Sequence, residues 1–387
     1  LPILNFEQRK LIVQSISGVK EVIAQTEWDD SLTINKVKPE YVVHGDDWLT
    51  GKQAILRENV LKVLSEYGGK LIEIPYTKGI SSEAISNKSK QVGISPEQRI
   101  GLLRRSLQNK EITRIIETHS PISALIAENS LVNINGKEKY FDGFWSSSLT
   151  DASLIGKPDI EVVDLSKRLE NINNIFEVTS KPLIMDIDTG GKTEHLKINI
   201  KTIERLGISA IIMEDKTGLK KNSLHADTSN QLQENINIFS EKIKTAKDSQ
   251  KNSEFMVIAR VESFILGSGI EDALKRAHAY VEAGSDAIMI HSKKKDPSEI
   301  FEFSKEFKKD LSEIPLVCVP STYSSVKEYE LIENKFNLVI YANHLFRAAY
   351  PAMVKAAESI LRNERSKEIE ENLTSIKEMM NLIPGTK

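Results

Sequence analysis

One cysteine in 387 residues, Cys318, excludes an intrachain disulfide and a cysteine-rich zinc centre. The chain also lacks an excess of either charge. Its 52 basic and 55 acidic residues leave a net −3, without the basic footprint of a dedicated nucleic-acid binder. No apolar run approaches the roughly 18 residues of a membrane-spanning helix, and the opening LPILNFEQRK shows no charged-then-apolar leader. The expectation is a soluble, cytoplasmic protein whose partners include neither nucleic acid nor membrane. What is present is enough apolar material, 40 % of residues, to build a large core rather than a disordered chain. The length exceeds one ordinary domain of roughly 100–200 residues and suits an α/β barrel of about 250 residues with a smaller unit beside it.

The division falls near residue 90. Before it, LPILNFEQRKLIVQSI has mixed helical spacing, and KPEYVVHGDDW reads as a strand running into a polar turn. AILRENVLKVLSEYGGKLIEIPYT reads as a helix, a Gly-Gly stop and a strand. The stretch SNKSKQVGISPEQR has no apolar periodicity and reads as the linker. Beyond it come eight short apolar runs: TRIIETHS, FDGFWSSS, PLIMDIDTG, SAIIMEDK, FMVIARVE, DAIMIHSK, PLVCVPST and NLVIYANH. Helical stretches such as IEDALKRAHAYVEAG separate several of them. Eight such strands predict a parallel sheet closed as a (β/α)8 barrel, with an open doubly wound sheet as its rival. No GxGxxG follows the first of these strands, so a dinucleotide site has no support.

Chemistry in such a barrel occupies the mouth at the carboxyl ends of the strands. The ends here carry Glu117 and His119, Trp145 to Ser148, Asp186 and Asp188, Glu214 and Asp215, Arg260 and Glu262, His291, and Asn343 with His344. Strand side chains alternate, so Asp186 and Asp188 are expected on one face, where two like charges call for a cation. Glu214 adds a third carboxylate. Hard oxygen donors without nearby His or Cys suit magnesium or manganese rather than zinc. Arg260 and His291 can hold an anionic group, which points to a phosphorylated oxyacid.

The motifs FWSSSLTDASLIGKPD, MDIDTGG, EDKTGLKKNSLHAD, ARVESFILGSGIEDALKRAHAY, MIHSKKKDPSEI and IYANHLFRA make residues 113–362 resemble the phosphoenolpyruvate mutases of the isocitrate lyase/phosphoenolpyruvate mutase superfamily. The resemblance implies a magnesium-dependent isomerase that interconverts phosphoenolpyruvate and 3-phosphonopyruvate in phosphonate biosynthesis, with a barrel over residues 96–365. It implies Asp186 as the direct magnesium ligand, with Asp188, Glu214 and Asp159 reached through water. Ser147 and Ser148 would hold the substrate carboxylate beside Trp145 and Leu149, and Arg260 and His291 the phosphoryl group. Lys220, Asn222, Ser223 and Leu224 would belong to a gating loop. Ser148 stands where the family often has Gly. The carbon–carbon lyases of the superfamily carry a catalytic Cys in a KKCGH-type loop, where this chain reads Lys220-Lys221-Asn222-Ser223-Leu224-His225. Cys318 lies instead in the apolar run PLVCVPS and reads as a buried small residue. A phosphonopyruvate hydrolase remains the near alternative.

Residues 1–90 resemble the back half of a cytidylyltransferase-like domain through KPEYVVHGDDW and YTKGISSEAI, which implies a partial Rossmann-like α/β domain. Its HxGH motif is absent, so the expectation is a domain without its catalytic front half, and a nucleotidyltransferase is an alternative of another class. A non-catalytic scaffold is a third reading. Met353, Ala356, Ala357, Ile360 and Leu361 follow an amphipathic helical pattern. The family precedent there is a helix exchanged between subunits, giving a homodimer or homotetramer. Residues 366–387 are expected to be a charged tail.

Overall fold

A computed structural model describes residues 6–25, 28–49, 53–75, 94–134, 136–224 and 231–382. YTKGISSEAI, most of the predicted linker and the loop residues from His225 to Asn230 lie outside the described residues. The chain divides into two compact units, Leu1–Gln91 with Asn109–Glu111, and Val92–Gln108 with Ile112–Lys387.

In the first unit, β1 (Tyr41–Gly45) and β2 (Lys70–Ile74) pair in parallel, Tyr41 against Lys70. The helix Ala54–Tyr67 joins them, and a parallel pair requires such a crossover. That helix ends at Gly68, whose φ of 81° is a left-handed conformation that glycine adopts without steric cost. A small core of Ile34, Trp48, Val60 and Leu64 lies under the sheet, with Val42 and Leu71 packed against it. The alternate residues Tyr41, Val43, Ile72 and Ile74 are exposed on the strands.

The second unit runs β3 (Thr113–Glu117), an antiparallel hairpin of β4 (Leu131–Ile134) and β5 (Lys137–Tyr140), β6 (Gly143–Ser146), β7 (Leu183–Asp186) and β8 (Ala210–Glu214). A short antiparallel pair, β9 (Lys216–Thr217) and β10 (Leu232–Gln233), follows. Then come β11 (Met256–Val261), β12 (Ala287–Ile290), β13 (Leu316–Cys318) and β14 (Leu338–Tyr341). Strands β3, β6, β7, β8, β11, β12, β13 and β14 pair in parallel in that order, and β14 returns to β3. The sheet is therefore a closed eight-stranded barrel, and the open doubly wound rival is excluded. Each strand, buried on both faces, reads as a nearly continuous apolar run.

Helices cover the outside by presenting one apolar stripe inward. Thr193–Leu206, for example, buries Leu196, Ile200 and Ile203 at the spacing of one helix face. Complete burial of such side chains stabilises by about 1.5–3 kcal/mol each. The inner cluster includes Ile115, Trp145, Ile184, Ile212, Ile258, Met289, Val317 and Ile340. Cys318, fully buried, belongs to the outer cluster between sheet and helices. The helix His344–Asn363, by contrast, buries none of its residues. Two short helices, Lys367–Glu370 and Ile376–Leu382, occupy the predicted tail. Among the described residues, no helix is long and apolar enough to cross a membrane.

Candidate active site

The strand registers stack the strand-end residues in two rings. In a barrel with eight parallel strands, a layer perpendicular to the axis climbs about one residue from each strand to the next, and alternate strands face inward. Following the pairings around the sheet, Glu117, Asp186, Arg260 and Val319 share one layer. By the same count, Ser147, Glu214, His291 and Ala342 form the next layer toward the mouth. Both layers sit above the apolar floor of Trp145, Ile212, Met289 and Ile340, so carboxylates, guanidinium and imidazole are concentrated at one end of a dry barrel.

A small cavity lies over these rings. Its wall includes thirteen of the fourteen residues expected at the site: Trp145, Ser147, Ser148, Leu149, Asp159, Asp186, Glu214, Lys220, Asn222, Ser223, Leu224, Arg260 and His291. Asp188 is the exception. Strand β7 ends at Asp186, so alternation does not carry on to Asp188, which adopts a left-handed φ of 57°. Its backbone N–H donates to Asp186 Oδ1 at 2.9 Å, and its side chain lines a neighbouring cleft with Glu161 and Arg168.

Lys220 ties the acidic groups together. Its Nζ donates to Asp159 Oδ1 and Ser148 Oγ, each at 2.8 Å, and to Asp188 Oδ1. Burial opposes its charge, but Glu214, Asp188, Asp186 and Asp159 outweigh that and raise its pKa. Burial likewise raises the Asp159 pKa, yet the Lys220 charge and hydrogen bond prevail and lower it. For Asp188, burial is the larger effect and the pKa is raised. Burial also raises the Glu214 pKa, to about 7, against the pull of Arg260 and Lys216. Asn222 Nδ2 donates to Asp159 Oδ2 at 2.8 Å, while its Oδ1 accepts from the Leu224 N–H at 3.0 Å.

Arg260 Nη2 lies 3.3 Å from Glu214 Oε2 and donates to His291 Nδ1 at 2.9 Å. Burial, then the neighbouring Arg260 charge, lowers the His291 pKa. His291 Nδ1 thus stands between a donor, Arg260 Nη2, and an acceptor, Glu262 Oε1 at 3.2 Å; donation from Arg260, the shorter contact, goes with a neutral ring whose proton is on Nε2.

Three further partners complete the site: Glu262, read from the sequence only as a strand-end charge, and Lys216 and Arg168, which the sequence did not single out. Glu262 accepts from Arg260 Nε at 2.5 Å, and Lys216 Nζ lies 3.1 Å from its Oε2. Arg168, 4 % exposed, reaches Asp151 Oδ2 at 2.8 Å and Asp188 Oδ2 at 3.4 Å. The spacing Arg-Val-Glu was the available signal for Glu262, since alternation aligns its two charges. Arg168 sits on a helix with no such cue.

The donor chemistry fits a hard divalent cation. Asp159, Asp186, Asp188 and Glu214 offer oxygen alone, and Glu214 Oε1 is buried without a hydrogen-bond partner. As they stand, no three described Asp, Glu, His or Cys side chains meet at one point as ligands. Lys220 stands between Asp159 and Asp188.

The family model described as phosphoenolpyruvate phosphomutase matches residues 103–361. A phosphoenolpyruvate phosphomutase of Tetrahymena pyriformis is 37 % identical over 72 % of this chain and 89 % of its own length. A phosphonopyruvate hydrolase of Variovorax sp. (strain Pal2) is 36 % identical over 71 % of this chain and 94 % of its own. A solved phosphonopyruvate hydrolase in complex with oxalate and Mg²⁺ superposes with a TM-score of 0.65 at 34 % identity, covering 75 % of this chain and 95 % of that one.

Proposed function

The chain belongs to the phosphoenolpyruvate phosphomutase family, and from that premise we propose that it interconverts phosphoenolpyruvate and 3-phosphonopyruvate by intramolecular phosphoryl transfer. The observation that carries this reading is Asn222 on the cavity wall with Arg260 and His291, at the loop position where lyases of the superfamily carry their thiol. A neutral amide can hold a phosphoryl group without offering it a proton or a water. Among the described residues the single thiol is Cys318, fully buried on β13, away from the cavity wall.

Arg260 and His291 Nε2–H hold the migrating group, whose loose transition state depends on positioning and charge stabilisation. Ser147, Ser148, Trp145 and Leu149 take the carboxylate end. Lys220 fixes Asp159 and Ser148, and Leu224 helps to keep out the water that would capture the phosphoryl group. Magnesium, or manganese, held by Asp186 and through water by Asp188, Glu214 and Asp159, would stabilise the enolate as a Lewis acid. Phosphonopyruvate and magnesium, followed by phosphorus NMR, are expected to yield phosphoenolpyruvate with little free phosphate. Pyruvate and phosphate as the main products would make the chain a hydrolase, like its relative at 36 % identity.

The same reading extends to assembly and location. On the helix His344–Asn363, Tyr350, Met353, Ile360 and Leu361 are exposed. An apolar cleft lined by Ile116, Val132, Tyr140, Phe141 and Tyr341 opens beside β3 and β14. A second copy's helix would cover that cleft, giving a cytoplasmic homodimer or homotetramer; a monomer in sedimentation at micromolar concentration would contradict it. For residues 1–90, HGDDW at the carboxyl end of β1, the strand paired in parallel with β2, supports a cytidylyltransferase-like α/β domain.

A further inference from the structure

Two buried charges off the cavity wall meet at one hydroxyl on it. Ser223 Oγ donates to Glu262 Oε2 at 2.5 Å, and accepts from Lys216 Nζ at 2.5 Å and Arg260 Nη2 at 2.7 Å. A hydroxyl has one donor and two acceptor sites, so Ser223 is saturated, and by charged partners alone. Glu262, 0 % exposed, also accepts from Arg260 Nε at 2.5 Å and has His291 Nδ1 at 3.2 Å. Its backbone N–H is held by Asp215 Oδ1 at 2.9 Å, and Asp215 is fastened in turn by Tyr280 Oη at 2.8 Å and Gln233 Nε2 at 3.0 Å. Lys216 Nζ is 1 % exposed and also donates to the Lys221 carbonyl at 3.2 Å. The charged set is therefore anchored on the barrel side, while Ser223 and the Lys221 carbonyl belong to the segment that carries Lys220 and Asn222.

Lifting Ser223 would strip a shared partner from three desolvated charges at once. Such groups are costly to leave unsatisfied, so water must replace the hydroxyl. Seating Ser223 and excluding water are then one event.

We propose that Glu262 and Lys216 are positioning residues that form a fixed seat for Ser223, and that this seat sets the partition between isomerisation and hydrolysis. The inference rests on the mutase reading. In both outcomes the P–C bond of phosphonopyruvate breaks and leaves its electron pair on the pyruvate enolate. In isomerisation the enolate oxygen forms the new P–O bond and no water is consumed. In hydrolysis a water oxygen forms it, the carbon takes up a proton, and pyruvate and inorganic phosphate result.

The test compares wild type, Ser223→Ala, Glu262→Gln and the double variant with phosphonopyruvate and magnesium. Products are read by phosphorus NMR, and cleavage after Lys220 and Lys221 by limited trypsin digestion with mass spectrometry. Ser223→Ala removes one hydroxyl and keeps the test open if Glu262→Gln does not fold. Glu262→Gln lies off the cavity wall and cannot act by direct loss of a substrate contact. Each single variant is expected to lose roughly 10–100-fold in isomerisation, the equivalent of one charged hydrogen bond. Each is also expected to raise the phosphate share and to be cut faster at Lys220–Lys221. The double variant is expected to be no slower than the worse single one, because the residues act as a unit. Wild-type product ratio and cleavage rate in both single variants would overturn the seat. If wild type itself releases phosphate, the mutase reading fails, and the seat is decided by cleavage alone: faster cutting supports it and unchanged cutting overturns it.

Discussion

The two units of this chain hold charge in opposite ways. In the barrel, Asp186, Glu214, Arg260, Glu262, Lys216 and Lys220 are all under 9 % exposed and neutralise one another at short range. In the first unit, the Arg57–Glu73 pair is bidentate, at 2.8 and 2.9 Å, yet its side chains remain 28 % and 24 % exposed. An exposed pair is screened and adds little to stability. Buried charge is retained at a desolvation cost that apolar packing would avoid, and such clusters mark sites of chemistry. The difference identifies the unit that does the work.

Three perturbations sharpen the contrast, from the largest effect to the smallest. Asp186→Ala removes the carboxylate at the centre of the inner ring. Turnover is expected to fall by roughly a thousandfold or more, with the divalent-cation dependence lost and circular dichroism unchanged. Trp48→Ala hollows the four-residue core of the other unit and is expected to cost about 3–5 kcal/mol. Hydrogen exchange should then report early opening of residues 28–75, while barrel turnover stays within about twofold, as expected for a separate domain core.

The third perturbation contrasts one carboxylate from each unit by the sign of its pH response. Burial pushes the Asp215 carboxyl up to about 6, so the folded chain keeps a proton that the unfolded chain releases from about 3.8. Its contribution is complete below 3.8 and is lost as pH rises through 6, on the order of 3 kcal/mol. Glu73 runs the other way. The Arg57 hydrogen bond holds it down at about 2, so its contribution is present above 4.5 and is lost as pH falls toward 2. Denaturant melts of Asp215→Asn are expected to flatten the slope between pH 4 and 6. Those of Glu73→Gln should differ from wild type only in acid, and slightly.

The barrel was legible because its eight strands are buried on both faces and each ends abruptly in polar residues. TRIIETHS and NLVIYANH delimit β3 and β14 in this way. The helix and strand around Gly68 were legible for a local reason, a left-handed stop. The hairpin of β4 and β5 was not, since LVNI is exposed along its whole length and carries no burial pattern. Asp188 shows where a local rule stops short: alternation holds only while the strand continues. The Ser223 seat was beyond reach for another reason. It joins a loop residue to β9 and to the residue after β11, and the pairing of β8 with β11 brings those together across more than forty residues of chain.

The account stands most directly on where the new P–O bond obtains its oxygen. Phosphonopyruvate turned over in ¹⁸O-water with magnesium should give phosphoenolpyruvate with no ¹⁸O in the three non-bridging oxygens of its phosphoryl group, read by the isotope shift in phosphorus NMR; the bridging oxygen, which comes from the exchangeable ketone, is not scored. Inorganic phosphate bearing ¹⁸O, formed with pyruvate as the main product, would contradict it.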